Sequence, residues 1–346
     1  MSCDICPLCG EIPHLSRSQF RIRFAPVGPV AGSADSNRIA TRRRPLCNQR
    51  SASHYLSVLR RFGASLNYLM SDLRLGTSIC KRLNGGAIES ESLVGAPLGA
   101  CRRLSRSSIT SCSLQRAELD GLLWTHSRFT SVDFSHASMR DFTDRANLFR
   151  DCRFVRTNLN QATFGFEGSQ FIDCSFERSL ATTTAFVRPL FVRCMFAGNL
   201  RDVDFEASSF SECKFVGRIE GGWFRNGYQH ASLNNEFGTP ATNPMKRVDF
   251  REAILWGVAF SGNVELSSVS LPAEHFLVDE WPERVKRVAE LGRNYPELRS
   301  ASDRFLKVFG PGATRQHQYI VYKGFLAHVI GEQALQPVLA SLLDQN

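Results

Sequence analysis

No run in this 346-residue chain approaches the roughly 18 consecutive apolar residues of a membrane span, which excludes a helical transmembrane protein on sequence grounds. The N-terminus also lacks the uninterrupted apolar stretch of a secretory signal peptide. Gly-X-Ser-X-Gly, a phosphate-cradling glycine loop and His-Glu-X-X-His are all missing, so the common hydrolase, nucleotide-binding and zinc-protease signatures give no purchase. The eight histidines form no couple: His126 and His136 lie at outward or corner positions of a repeat, and His317 and His328 in helical text. An excess of acid is missing too. Residues 1–104 hold 15 Lys/Arg against 6 Asp/Glu, and residues 105–260 hold 18 against 17. The overall charge of +9 is therefore an N-terminal property, densest at Arg42, Arg43 and Arg44. Such an arm is suited to phosphates or to an anionic surface.

What is present is a period of five. Ile109, Leu114, Leu119, Trp124, Phe129, Phe134 and Met139 follow one another at that interval without a gap. The period resumes through Leu148, Phe154, Leu159, Phe164, Phe171, Phe176, Phe186, Phe191, Phe196, Phe205, Phe210 and Phe215, and returns at Phe250, Leu255 and Phe260. Two residues before most centres stands a small side chain, such as Ser107, Ala117, Ser127 or Ala137. Helix faces recur near 3.6 residues and strand faces near 2, so five suits neither. It suits a chain that turns a corner every fifth residue, with a large and a small side chain pointing inward from each five. Repetition on this scale predicts a solenoid whose coils bury a continuous core between them.

The pattern Ala-Asp/Asn-Leu/Phe-X-X resembles the pentapeptide-repeat family, most clearly at Ala146-Asn147-Leu148, Thr157-Asn158-Leu159, Val132-Asp133-Phe134 and Val203-Asp204-Phe205. The resemblance implies a mainly β fold, a right-handed quadrilateral β-helix with four pentapeptides per coil, here flanked by helical segments. It implies a core formed by Phe129, Phe134, Leu148, Phe154, Leu159, Phe164, Phe171, Phe176, Phe186, Phe191, Phe196, Phe205, Phe210 and Phe215. The expected division is a basic leader at 1–50, a helical segment and connector at 51–104, the repeat at 105–262 and a helical cap or dimerisation region at 263–346. Steps of nine (Met139 to Leu148), six (Leu148 to Phe154) and seven (Phe164 to Phe171) read as irregularities. Residues 226–247, with Pro240 and Pro244, read as an inserted loop.

Outside the repeat, Tyr55, Leu59, Phe62, Leu66, Leu69 and Leu73 form one helical stripe. Pro282 and Pro296 mark helix starts, and Gly310-Pro311-Gly312 a stop. Leu335, Leu339 and Leu342 line a last helix that either caps the solenoid or joins two copies, as in the gyrase-protecting members of the family.

Eleven cysteines without a signal peptide read as reduced thiols in a cytoplasmic protein. Cys112, Cys152, Cys174, Cys194 and Cys213 occupy the small inward position, the last four about one coil apart, and predict a column of buried thiols. Cys3, Cys6 and Cys9 have the spacing of a zinc knuckle but no second pair to close it.

No residue earns a catalytic role and no cofactor is implied. The expectation is a non-enzymatic protein-interaction or scaffolding rod. The alternatives are a DNA-mimic protecting gyrase, which the near-neutral repeat disfavours, a bacterial effector delivered into a host cell by a specialised secretion system, and a zinc-dependent nucleic-acid binder using the N-terminal arm.

Overall fold

The structure, a computed structural model, describes residues 78–343 apart from 180–183 and Ala231. Residues 1–77 and 344–346 lie outside the described residues.

The backbone repeats one five-residue device. In the step centred on Phe129, Ser127 and Phe129 point inward, and Ser131 takes the left-handed conformation (φ 53°) that turns the chain. The same turn recurs at Arg116, His136, Arg156 and Asp173, residues without the conformational freedom of glycine. Repeated interstrand hydrogen bonds hold each turn in place: Ser131 N donates to Arg150 O at 2.9 Å and Arg128 N to Ser107 O at 2.8 Å, both one coil away.

Four such steps make a coil, and the coils stack in parallel. One face is a seven-stranded parallel sheet running from Ala87–Glu89 to Ser209–Ser211. A second has eight strands, from Arg103–Ser105 to Ala259–Ser261. A third begins as single bridges (Ser113 to Asp133, Asp133 to Arg153) and continues as a five-stranded sheet to Asp249–Trp256. The fourth carries bridges at Glu118, Ser138 and Asn158, and later the distal halves of Met195–Arg201 and Lys214–Glu220.

Inward-facing rings fill the axis in columns. Phe129, Phe149, Phe171, Phe191 and Phe210 stack with successive centroids 4.5, 4.7, 5.1 and 5.2 Å apart. Phe134, Phe154, Phe176, Phe196 and Phe215 form a second column at 4.7–5.2 Å. Neighbouring columns meet edge to face, as Phe191 meets Phe196 at 5.1 Å and 82°. Offset stacking along the axis and T-shaped contact across it are the two arrangements that ring quadrupoles favour.

Two expectations change here. The coils begin at Ala87, not near residue 105, because Ile88, Leu93, Leu98 and Leu104 already supply inward centres. The expected irregularity around Leu148 vanishes: Leu148 faces outward and is half-buried, while Phe149 fills the axis. The centres run 139, 144, 149, 154 in unbroken fives, and the step that hid them has Asp144 at its centre. Phe142 at the small position before it supplies the missing volume; its ring lies 5.7 Å from Phe164. The seven-residue step from Phe164 to Phe171 is present, and its extra residues bulge out at Gly165–Gly168, both glycines with positive φ.

The expected loop is shorter than 226–247: the chain leaves the rod after Asn226, forms a short helix at Leu233–Phe237, and returns through Asn243, whose Oδ1 accepts the Phe210 N–H at 3.1 Å, so that Met245 is again buried in the axis. Beyond Leu266 a helical unit with its own core covers the open end of the last coil. The Gln316 side chain bonds Val264 in both directions (3.1 and 2.9 Å) and Gln318 Oε1 accepts Leu266 N–H at 2.7 Å. His275 Nε2 accepts the Leu255 N–H at 3.1 Å, and Tyr319 donates to Val258 O at 3.2 Å. Side chains thus satisfy a strand edge that would otherwise template further pairing. The helices Trp281–Asn294, Arg299–Phe309, Lys323–Ile330 and Glu332–Leu343 pack behind this contact, with Leu335, Leu339 and Leu342 turned into their core and Val308 left exposed. Among the described residues no helix is long and apolar enough to cross a membrane.

Candidate interaction surface

Of the fourteen centres read from the sequence, Phe129, Phe134, Phe154, Leu159, Phe164, Phe171, Phe176, Phe186, Phe191, Phe196, Phe205, Phe210 and Phe215 sit on the axis, each 0 or 1% exposed. Leu148 does not. Cys3, Cys6 and Cys9, and the helical stripe from Tyr55 to Leu73, lie outside the described residues.

The corner ahead of the first face carries a polar column that the sequence reading overlooked. Ser107 N donates to Ser127 Oγ (2.9 Å), Ser127 N to Asn147 Oδ1 (2.7 Å) and Asn147 N to Ser169 Oγ (3.0 Å), one bond per coil. Asn147 Nδ2 donates to Asp144 Oδ1 at 2.5 Å, and Gly165 N to Asp144 Oδ2 at 2.8 Å. Burial pushes the Asp144 carboxyl up to about 6, against the opposing pull of its Ser169, Gly165 and Asn147 donors.

The corner ahead of the third face carries the thiols. Cys152, Cys174, Cys194 and Cys213 are buried in successive coils and each Sγ faces backbone carbonyls, as Cys194 Sγ faces Phe171 O at 3.2 Å. Burial pushes the Cys152 and Cys194 thiols well up, so they are neutral packing groups. The reading of all cysteines as reduced is corrected at one place: Cys80 and Cys101, with Cα atoms 5.4 Å apart, form a disulfide that ties the entering segment to the first coil. Their spacing of 21 residues, one coil, brings them together. Iodoacetamide applied to the native protein should leave Cys112, Cys152, Cys174, Cys194 and Cys213 unmodified and label them only after unfolding, with Cys80 and Cys101 labelled only after reduction. Peptide mass spectrometry reads each site, and native labelling of Cys194 would contradict the buried column.

With the inside closed, the available chemistry lies on the surface. Several acids there are matched across coils. Arg193 holds Asp173 through two bonds (2.7 and 2.8 Å), Arg140 holds Asp120 at 2.8 Å through Nε, Arg225 holds Asp204 at 3.1 and 3.2 Å, and Arg247 pairs with Glu212. Hydrogen bonds from Arg251 hold the Asp249 carboxyl down at about 2. Along the corner after the third face the pattern differs: Arg116, His136, Arg156 and Arg178 occupy successive left-handed corners, exposed and outside the ion pairs of the described residues. In the next two coils that corner is held by Gly198 and Gly217, because the step from Phe196 to Leu200, like that from Phe215 to Ile219, is four residues long.

Inward at the first and third residue of each step, cornered at the fifth, and four steps to a coil: that geometry decides the fold. This is a pentapeptide-repeat fold, a parallel β-solenoid. Solved structures to which it is similar include a trypsin-treated variant of QnrB1, a plasmid-mediated fluoroquinolone resistance protein, at 14% identity over 54% of this chain and 90% of that one, TM-score 0.31. HetL, a pentapeptide-repeat protein involved in heterocyst differentiation regulation in the cyanobacterium Nostoc sp. strain PCC 7120, aligns at 15% identity over 55% and 84%, TM-score 0.17. At these scores the likeness carries no functional argument. No family model matches the sequence, and no curated protein matches it.

In this solenoid His126 and His136 stand at left-handed corners, and His328 lies beside Trp256, 5.4 Å between ring centroids. Among the described residues no group of three or more His, Cys, Asp or Glu is placed to hold a metal ion. The unpaired cationic corner had a sequence signal: Arg116, His136, Arg156 and Arg178 each stand two residues after a centre, at coil spacing.

Proposed function

We propose that this protein acts by docking a protein partner along the outer faces of its rod, without performing chemistry. The filled axis carries this reading. Stacked rings from Phe129 to Phe260 leave the inside closed, so residue variety is spent on outward columns held at a fixed spacing of about 4.8 Å per coil. A rigid surface of that kind binds with little ordering cost.

The alternative is shielding of a DNA topoisomerase by imitation of DNA, which needs a continuous acidic face. Asp120, Asp173, Asp204 and Glu212 each rest on an arginine, which favours docking of a protein by other means. Two measurements on the full chain test these readings. A tagged protein should retain a partner from extracts of its own cells, and charge reversal at outward residues of one face, such as Arg128→Glu with Arg150→Glu, should abolish retention only when that face is the one used. Retention unaffected by reversal on every face would defeat the docking reading. Inhibition of gyrase supercoiling at micromolar protein would replace it with the mimic.

A further inference from the structure

We infer that the corner formed by Arg156, Arg178 and the glycine step behind them is a binding site for an acidic peptide segment carrying an apolar anchor. This rests on the docking reading and gives it a location.

The site follows from two departures in the repeat. Most other corners close a five-residue step, and in the four coils before Gly198 this corner carries a side chain, at Arg116, His136, Arg156 and Arg178 in turn. At Gly198 and Gly217 the step shortens to four, φ reaches 123° and 103°, and no side chain stands out. A Cβ on Gly217 would lie 2.4 Å from the Gly198 carbonyl oxygen, so the two coils close down on each other and only glycine fits. The surface therefore drops behind the ridge made by His136, Arg156 and Arg178. The depression has a volume of about 520 Å³ and its walls include Val155, Ala197 and Val216. That is room for one or two side chains, not for a folded domain.

The ridge is net positive, with Arg156 and Arg178 against Glu177. Arg156 and Arg178 project from adjacent coils, about 4.8 Å apart along the axis, and neither joins an ion pair among the described residues. Across the first face the equivalent corner spends its arginines on Asp173 and Glu212. Unpaired guanidiniums are planar, bidentate receptors for carboxylates. The half-buried valines beside them suit an aliphatic side chain on the same ligand. Glu177 also lines the depression. It is repulsive to a continuous phosphodiester, yet tolerable to a peptide whose acids are separated by apolar residues. This selects a protein segment over a nucleic acid.

The test uses the full chain and a fluorescein-labelled ten-residue peptide of alternating Glu and Leu, read by fluorescence anisotropy at 50 and 200 mM salt. The expected result is saturable binding, weaker at the higher salt, that falls at least tenfold in Arg156→Glu/Arg178→Glu, with circular dichroism confirming the fold. A Lys-Leu peptide should not bind. Arg140→Glu, on the next face where Arg140 is already paired with Asp120, should leave binding within twofold. Absence of peptide binding by the unaltered chain, equal binding by the double variant, or tighter binding of a ten-nucleotide single strand would each overturn the inference. In those cases a partner still lost on reversal of another face would leave the docking reading standing.

Discussion

Phe176→Ala will lower the stability of the rod by about 3–5 kcal/mol, the usual cost of emptying a fully buried phenylalanine site. Phe176 lies 4.7 Å from Phe154 and 5.2 Å from Phe196 in its own column, and meets Phe171, Phe186 and Phe191 edge on. A cavity there cannot be closed by a shift of one neighbour, because each ring is pinned by the coil above and the coil below. A solenoid also depends on contacts between adjacent coils, so the loss cuts the coupling between the two halves of the stack. Urea unfolding followed by far-ultraviolet circular dichroism measures it. Leu148→Ala is the matching control and should cost less than about 1 kcal/mol, since that side chain is half-buried on the outside. Equal losses at the two sites would mean that the five-residue register described here is wrong.

Relative to the unaltered chain, Asp144→Asn will gain up to about 3 kcal/mol of stability between pH 4 and pH 8. Its carboxyl has a folded value of about 6 against an ordinary 3.8, a difference of roughly two units at about 1.4 kcal/mol each. The sign follows from the direction. A carboxyl raised by folding contributes its stability fully below 3.8, and loses it as pH rises through about 6, where the buried group must ionise. Asparagine removes the charge and still accepts the Gly165 N–H. It turns its amide nitrogen toward the Asn147 donor, however, a mismatch that costs about 1–3 kcal/mol at every pH and leaves the pH-dependent part of the difference unchanged. His275 works in the opposite sense: burial lowers its value, and its Nε2 must stay unprotonated to accept from Leu255, so acidification weakens the cap. The two effects separate by comparing Asp144→Asn with the unaltered chain at pH 4, 6 and 8. A constant difference across that range would show that Asp144 is not the group responsible.

Much of this was legible in the residues. A large apolar side chain every fifth position and a small one two places earlier are local facts, and they require a chain that bends at that interval. The thiol column was legible for the same reason, since Cys152, Cys174, Cys194 and Cys213 fall one coil apart at the small inward position. The register through 139–154 was not. An apolar count skips Asp144 and prefers Leu148 to its neighbour Phe149; only stacking on Phe129 and Phe171 shows which of the two is inside. The start of the rod was missed because Ala87–Arg103 is rich in Gly and Ser, and its centres Ile88, Leu93 and Leu98 gain meaning only when paired with the next coil.

By itself, then, the sequence determined the pitch of the chain and what fills its axis, because both are set within five residues. Tertiary structure decided which charges are neutralised, which cysteines meet, how Gln316 and Gln318 close the last coil, and where Arg156 and Arg178 are left without partners. Those outcomes depend on residues about twenty or more positions apart being brought within a few ångströms, and the exact length of every intervening step sets which ones arrive together.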